Sequence, residues 1–133
     1  MGAPGPNDGA QRRRLPRTRR ITRPDQIRAL FQQGKRSRTA HLDVFDSPSP
    51  ALHPRAGVVV PKHRQTVVRR NRLKRQLREI IRLELLPRLV DANVSADLLI
   101  RARREAYDAT FNGLRDELVT YVERRWRPGS SSC

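Results

Sequence analysis

The chain has 133 residues, the size of one domain, and carries 29 Lys plus Arg against 13 Asp plus Glu, a formal charge of +16. All but Lys35, Lys62 and Lys74 of those bases are Arg, an excess that opposes folding by self-repulsion and calls for a polyanionic partner, most simply nucleic acid. The only cysteine is Cys133, and no apolar run approaches the ~20 residues of a membrane span, which excludes an intrachain disulfide, a Cys-rich zinc site and a membrane helix.

Residues 1 to about 20 hold no periodic apolar pattern. Pro4, Pro6 and Pro16 interrupt them, and Arg12, Arg13, Arg14, Arg17, Arg19 and Arg20 load their second half. A flexible basic N-terminal tail is expected, and with no apolar secretory core the expected compartment is the cytoplasm. A helix is predicted from Thr22 to Gln33, with Thr22 and Asp25 at capping-box spacing. Ile27, Leu30 and Phe31 form its apolar face and Gly34 its stop.

Residues 41–46 alternate as a half-buried strand around Leu42 and Val44. A Pro-rich loop follows over 47–55, and residues 56–60 (AGVVV) read as a buried strand ended by Pro61. These two strands are expected to form a hairpin, with a short third strand around 62–66. A second helix begins near Val67 and is expected to end by Pro87, followed by a loop over 87–95. Residues 96–102 (ADLLIRA) give another strand. Thr110 caps a last helix through about Arg125, and residues 127–133 form a disordered end. Helix, strands, helix, strand, helix predicts a small single-domain α+β sandwich over residues 21–126.

The second helix is the informative element. Residues 62–78 (KHRQTVVRRNRLKRQLR) contain eight Lys or Arg and no carboxylate before Glu79. Such a run repels itself unless an external anion relieves it. At about 100° per residue, Leu73, Leu77, Ile80, Ile81 and Leu85 share one sector, and Asn71, Arg72, Arg75, Arg78 and Arg82 gather opposite. Arg suits phosphate because its planar fork bonds two oxygens at once. A solvated charged face normally mixes signs, and this one does not.

The stretch VRRNRLKRQLRE, Val68 to Glu79, resembles the signature of the protein subunit of bacterial ribonuclease P. The likeness extends from about Arg19 to Arg125, through Phe31–Gly34, Leu42–Phe45, GVVVPK and DLLIRAR to the helix opening at Thr110–Phe111. The resemblance implies a compact α+β domain with a left-handed strand–helix–strand crossover. It also implies an accessory role beside an RNA that removes the 5′ leader of precursor tRNA using magnesium. Carried over by position, Arg69, Arg70, Asn71, Arg72, Lys74, Arg75 and Arg78 form the helix that binds ribonuclease P RNA. Ile27, Phe31, Phe45, Lys62 and His63 line or rim a cleft for the single-stranded leader. In that cleft Phe31 and Phe45 are expected to present partly exposed aromatic surface for stacking. The sequence departs from the family pattern in three places. Ile27 replaces a frequent Phe, His63 a common second Lys, and Gln65-Thr66 a usual Gly-Asn, although Thr66 can still cap the helix.

Catalysis by the protein itself finds little support. His41, His53 and His63 are the only histidines, and Asp43 and Asp46 point to opposite faces of a strand. No phosphate loop, serine triad or nucleotide motif is visible, so no small-molecule substrate, resident cofactor or metal is expected. A structural RNA binder such as a ribosomal protein shares the composition but not the Arg-Asn-Arg helix in this order. A DNA-binding regulator lacks a helix-turn-helix spacing.

Overall fold

The structure, a computed structural model, describes residues 19–126; the expectations for residues 1–18 and 127–133 lie outside the described residues. Helix α1 (Pro24–Gln33) is followed by strands β1 (Lys35–Arg38), β2 (Leu42–Pro48) and β3 (Arg55–Val59). Helix α2 (Val67–Ile80) runs through a π-helical turn (Ile81–Leu85) into α3 (Leu86–Asp91). Strand β4 (Ala96–Ala102), a 3-10 turn (Arg104–Asp108) and helix α4 (Phe111–Arg125) complete the order.

One sheet organises these elements, in the order β1-β2-β4-β3. β2 is antiparallel to both β1 and β4, and β3 is parallel to β4, so α2 and α3 form the crossover between two adjacent parallel strands. The expected hairpin of β2 and β3 is therefore corrected: β4 lies between them. Its residues Ala96–Ile100 are all buried, which suits the central position that an apolar strand demands. Strand β1 went unpredicted because Lys-Arg-Ser-Arg has no apolar residue to mark it. It is an edge strand, where charge is the ordinary protection against further pairing.

Two layers pack on the two faces of the sheet. Leu42 and Val44 of β2, with Leu98 and Ile100 of β4, face a large core completed by Leu73, Leu77 and Ile80 of α2 and by Leu114 and Leu118 of α4. On the other face Phe45 and Leu99 meet Ile21 and Leu30, with Ile27, Phe31 and Val59 at the margin. The N-terminal approach is more ordered than expected at residue 20. Arg20 bridges Ala56 in parallel, and the Ile21 N–H donates to the Ala56 carbonyl at 2.8 Å. Gly57 permits this close approach, because a Cβ there would lie 2.5 Å from the Ile21 oxygen.

Three further expectations are corrected. The residue capping α1 is Arg23, with no side-chain cap bond, so Thr22 and Asp25 do not form the box. No strand forms around 62–66. His63 and Arg64 take left-handed φ values of 47° and 63°, turning the chain so that the Gln65 N–H reaches the Lys62 carbonyl at 2.8 Å. The long helix does not end at Pro87. A proline lacks the N–H that would bond four residues back, and the helix widens instead, with the Leu86 N–H donating to the Ile81 carbonyl. The Thr66 and Thr110 caps form as predicted, accepting from the N–H groups of Arg69 at 3.1 Å and Gly113 at 3.0 Å. Trp126 packs edge-on against Tyr121, closing the end of α4.

Candidate nucleic-acid interface

Burying Leu73, Leu77 and Ile80 against the sheet turns the opposite side of α2 outward. Asn71, Arg72, Arg75 and Arg78 are all exposed there. Among the described residues no carboxylate pairs with Arg72, Arg75 or Arg78; the nearest acid on the helix, Glu79, is bound to Arg82 at 2.6 Å. Arg82 thus leaves the row that its helical position suggested. Lys74 lies one turn from both Arg70 and Arg78. Its ammonium is held below the usual lysine range by partial burial and then by the charges of those two arginines. The local field is cationic and uncompensated.

Two other members of the predicted set are tethers. Arg70 donates from Nε to the Val60 carbonyl at 2.7 Å, tying α2 to the end of β3. Arg69 donates to the Tyr107 carbonyl at 3.1 Å and the Asp108 carboxylate at 3.2 Å, and bonds the Gln65 side chain. Its guanidinium lies 5.8 Å from the centre of the Tyr107 ring. Tyr107, which no sequence motif marks, also donates its hydroxyl to the Pro61 carbonyl at 2.6 Å, so both sides of the turn at 62–66 are pinned.

The α1-side face of the sheet holds the second cluster. Phe31 of α1 meets Phe45 of β2 edge-on, with centroids 4.9 Å apart, and Ile27 packs beside them. Phe31 is half-buried. Phe45 is only 5 % exposed, less than the partly exposed ring that was expected. It is covered by Phe31 and by two guanidinium groups: Arg36 at 5.9 Å and Arg101 at 6.0 Å from its centre. Arg101 also lies 5.6 Å from the centre of Phe31. Beside the rings Asp43 is fully buried and bonds Arg101 at 3.2 Å, Arg103 at 3.4 Å and Arg36 at 3.5 Å.

The structure does not bring His63 into this cluster; it stands edge-on to Tyr107 at 6.2 Å. Lys62 is exposed three residues beyond Val59. Arg36, Asp43 and Arg101 were missed as site residues, although one signal was available. Asp97, Leu99 and Arg101 alternate with Leu98 and Ile100, so the period of a strand already placed Arg101 on the Phe45 side.

Asp46, on the opposite face of β2 from Asp43, accepts from the Tyr121 hydroxyl and from Arg125 at 3.2 Å. A groove of about 730 Å³ lies between the β1–β2 turn and α4 and is lined by none of the predicted site residues. Across it Glu117 accepts from the His41 backbone N–H at 2.8 Å and pairs with the His41 ring at 2.7 Å. Among the described residues no three His, Cys, Asp or Glu side chains converge in a metal-holding arrangement, and no helix is long and apolar enough to cross a membrane.

Fold and surface together define a small α+β domain with a row of exposed arginines unpaired by carboxylates among the described residues. The ribonuclease P family model matches residues 15–125. The ribonuclease P protein component of Desulfovibrio desulfuricans is 38 % identical over 126 residues, covering 89 % of this chain and 92 % of that protein. The component from Micrococcus luteus is 37 % identical over 124 residues, with 86 % and 92 % covered. Among solved structures, the Staphylococcus aureus RNase P protein aligns with a TM-score of 0.66 at 21 % identity, covering 83 % of this chain and 96 % of that one. The Thermotoga maritima protein aligns at 0.62 and 24 %, covering 84 % and 96 %, and so shares the fold. The chain belongs to the bacterial ribonuclease P protein family.

Proposed function

We propose that the chain is the accessory protein of a ribonuclease P ribonucleoprotein and contributes binding while its RNA performs the cleavage. The observation that carries this reading is the outer face of α2, where Arg72, Arg75 and Arg78 stand exposed with no carboxylate partner among the described residues. Guanidinium groups so placed neutralise RNA phosphates and release counterions, giving affinity without sequence preference. Leu73 and Leu77 lock the opposite face of the helix into the core, so RNA meets a rigid row. The α1-side face of the sheet, with Phe31, Phe45, Arg36 and Arg101, holds the single-stranded 5′ leader of precursor tRNA. The magnesium that hydrolysis requires is supplied to the RNA.

Reconstitution with a bacterial ribonuclease P RNA tests the proposal. The chain should lower the magnesium needed for 5′ leader removal and raise the affinity for precursor over mature tRNA. Nuclease-free protein alone should cleave nothing. Cleavage by the protein alone, or a holoenzyme with the magnesium requirement of bare RNA and no preference for precursor, overturns it.

A further inference from the structure

We infer that the leader-binding surface of this chain is the exposed plane of the Arg101 guanidinium, stacked between the phenylalanine pair and an incoming RNA base, with Asp43 as its positioning residue. The inference rests on the leader reading above and concerns which group the base touches. With Phe45 5 % exposed, a base cannot lie on that ring while the guanidinium groups are in place. The Arg101 side chain, by contrast, is 38 % exposed and sits over both rings.

The geometry of the guanidinium separates its two roles. Hydrogen bonds leave it in the plane, and stacking uses the faces. Asp43 takes an N–H of Arg101 at 3.2 Å, the guanidinium carbon lies 5.6 Å and 6.0 Å from the centres of the Phe31 and Phe45 rings, and the exposed part of the side chain leaves surface for a ligand. Asp43 is directly opposite Arg101 in the β2–β4 ladder, and Arg36 is opposite Phe45 in the β1–β2 ladder, so the backbone sets both placements. Asp43 is fully buried and is shared by three arginines, which leaves the cluster cationic beside its stacking plane. Arg36, 56 % exposed, then supplies the charge that follows the backbone between stacked nucleotides. A guanidinium plane is a known platform for unpaired bases, whereas a duplex keeps its base faces covered. The ligand class is therefore single-stranded RNA.

The test compares Arg101→Lys, Arg101→Gln and Arg101→Leu in the reconstituted holoenzyme, measuring the ratio of precursor to mature tRNA affinity across a salt series. Lys keeps the charge and loses the plane, so the ratio should fall on the order of tenfold while the salt slope holds. Leu loses both, so the ratio should fall at least as far and the slope should flatten by about 0.7. Gln keeps a small plane without charge and should retain more of the ratio than Leu. Asp43→Asn adds net positive charge, so a purely electrostatic site should gain precursor preference; a positioned stack should lose it. Thermal melts establish that each variant is folded, and Lys and Gln suffice if Leu is not. Full precursor preference in folded Arg101→Lys overturns the stacking assignment, as does a gain in Asp43→Asn. A wild-type holoenzyme with no precursor preference sinks the leader reading itself, a result distinct from either.

Discussion

The outer face of α2 and the α1-side face of the sheet are both rich in arginine, and they differ in where the carboxylates are. On α2, Arg72, Arg75 and Arg78 have no acid partner among the described residues, and partial burial, followed by the charges of Arg70 and Arg78, depresses the proton affinity of Lys74. On the sheet, Arg36, Arg101 and Arg103 converge on one fully buried carboxylate, Asp43. Unpaired cations on an exposed helix attract a polyanion at range and let it go in salt. Cations organised around a buried acid have fixed directions, and directed groups can discriminate between ligands. One surface is an unpaired cationic row and the other a cluster of cations with fixed directions.

The largest expected effect follows from Asp43. Replacing it by Ala removes the charge-assisted hydrogen bonds it accepts from its arginines, a loss of about 1.5–3 kcal/mol, since Arg36 and Arg101 remain exposed enough to be hydrated. Chemical denaturation should read that loss directly. Should Asp43→Ala prove as stable as wild type, the sheet cluster is a loose surface group and the contrast with α2 fails.

On α2 the outcome should be inverted. Arg72→Ala with Arg75→Ala should leave the denaturation midpoint unchanged, or slightly higher at low salt, as like charges are removed. The same double variant should weaken RNA binding and reduce its salt slope by about 1.4–1.8, at ~0.7–0.9 per phosphate contact. An unfolded double variant with an unchanged slope would make those arginines structural.

Within α2 itself the comparison sharpens at Arg70, whose Nε is committed to the Val60 carbonyl. Arg70→Ala should cost about 1 kcal/mol of stability, where Arg72→Ala costs none. Differential scanning of the two single variants separates tether from free cation.

The smallest effect lies in the other core, at the second buried acid. Burial first, and then the hydrogen bond from its hydroxyl to Asp46, raise the Tyr121 phenol above its ordinary 10.0. The unfolded chain therefore releases that proton before the folded one, so the stability linked to Tyr121 is complete below about pH 10 and declines above it. Tyr121→Phe should be less stable than wild type at neutral pH and should lose part of the alkaline decline. Parallel pH profiles for the two proteins would show that Tyr121 is not the group responsible.

Much of this molecule follows from the order of its residues alone. The composition demands a polyanion, the 3.6-residue period of Leu73, Leu77 and Ile80 sets the buried side of α2, and Thr66 and Thr110 cap where hydroxyls should. The apolar alternation in 42–46 and 96–102 marks two strands. These features are local, decided within a few residues by sterics and hydrogen bonding, and a single sequence displays them. Strand pairing is not local. β4 inserts between β2 and β3 because its apolar faces need both a partner on each edge and a layer on each side. Nothing near residue 96 announces that. The burial of Phe45 was hidden for the same reason, since its cover comes from Arg36, Phe31 and Arg101, on three other elements. Asp43 reads in sequence as a polar residue on a half-exposed strand. Only the assembled sheet, by bringing three arginines from β1, β4 and the residue after β4 to one carboxylate, makes it a buried acid shared by three cations. Charge alone calls for a polyanion; the arrangement of that charge around a buried acid is a tertiary decision, because desolvating one carboxylate requires partners from every neighbouring strand.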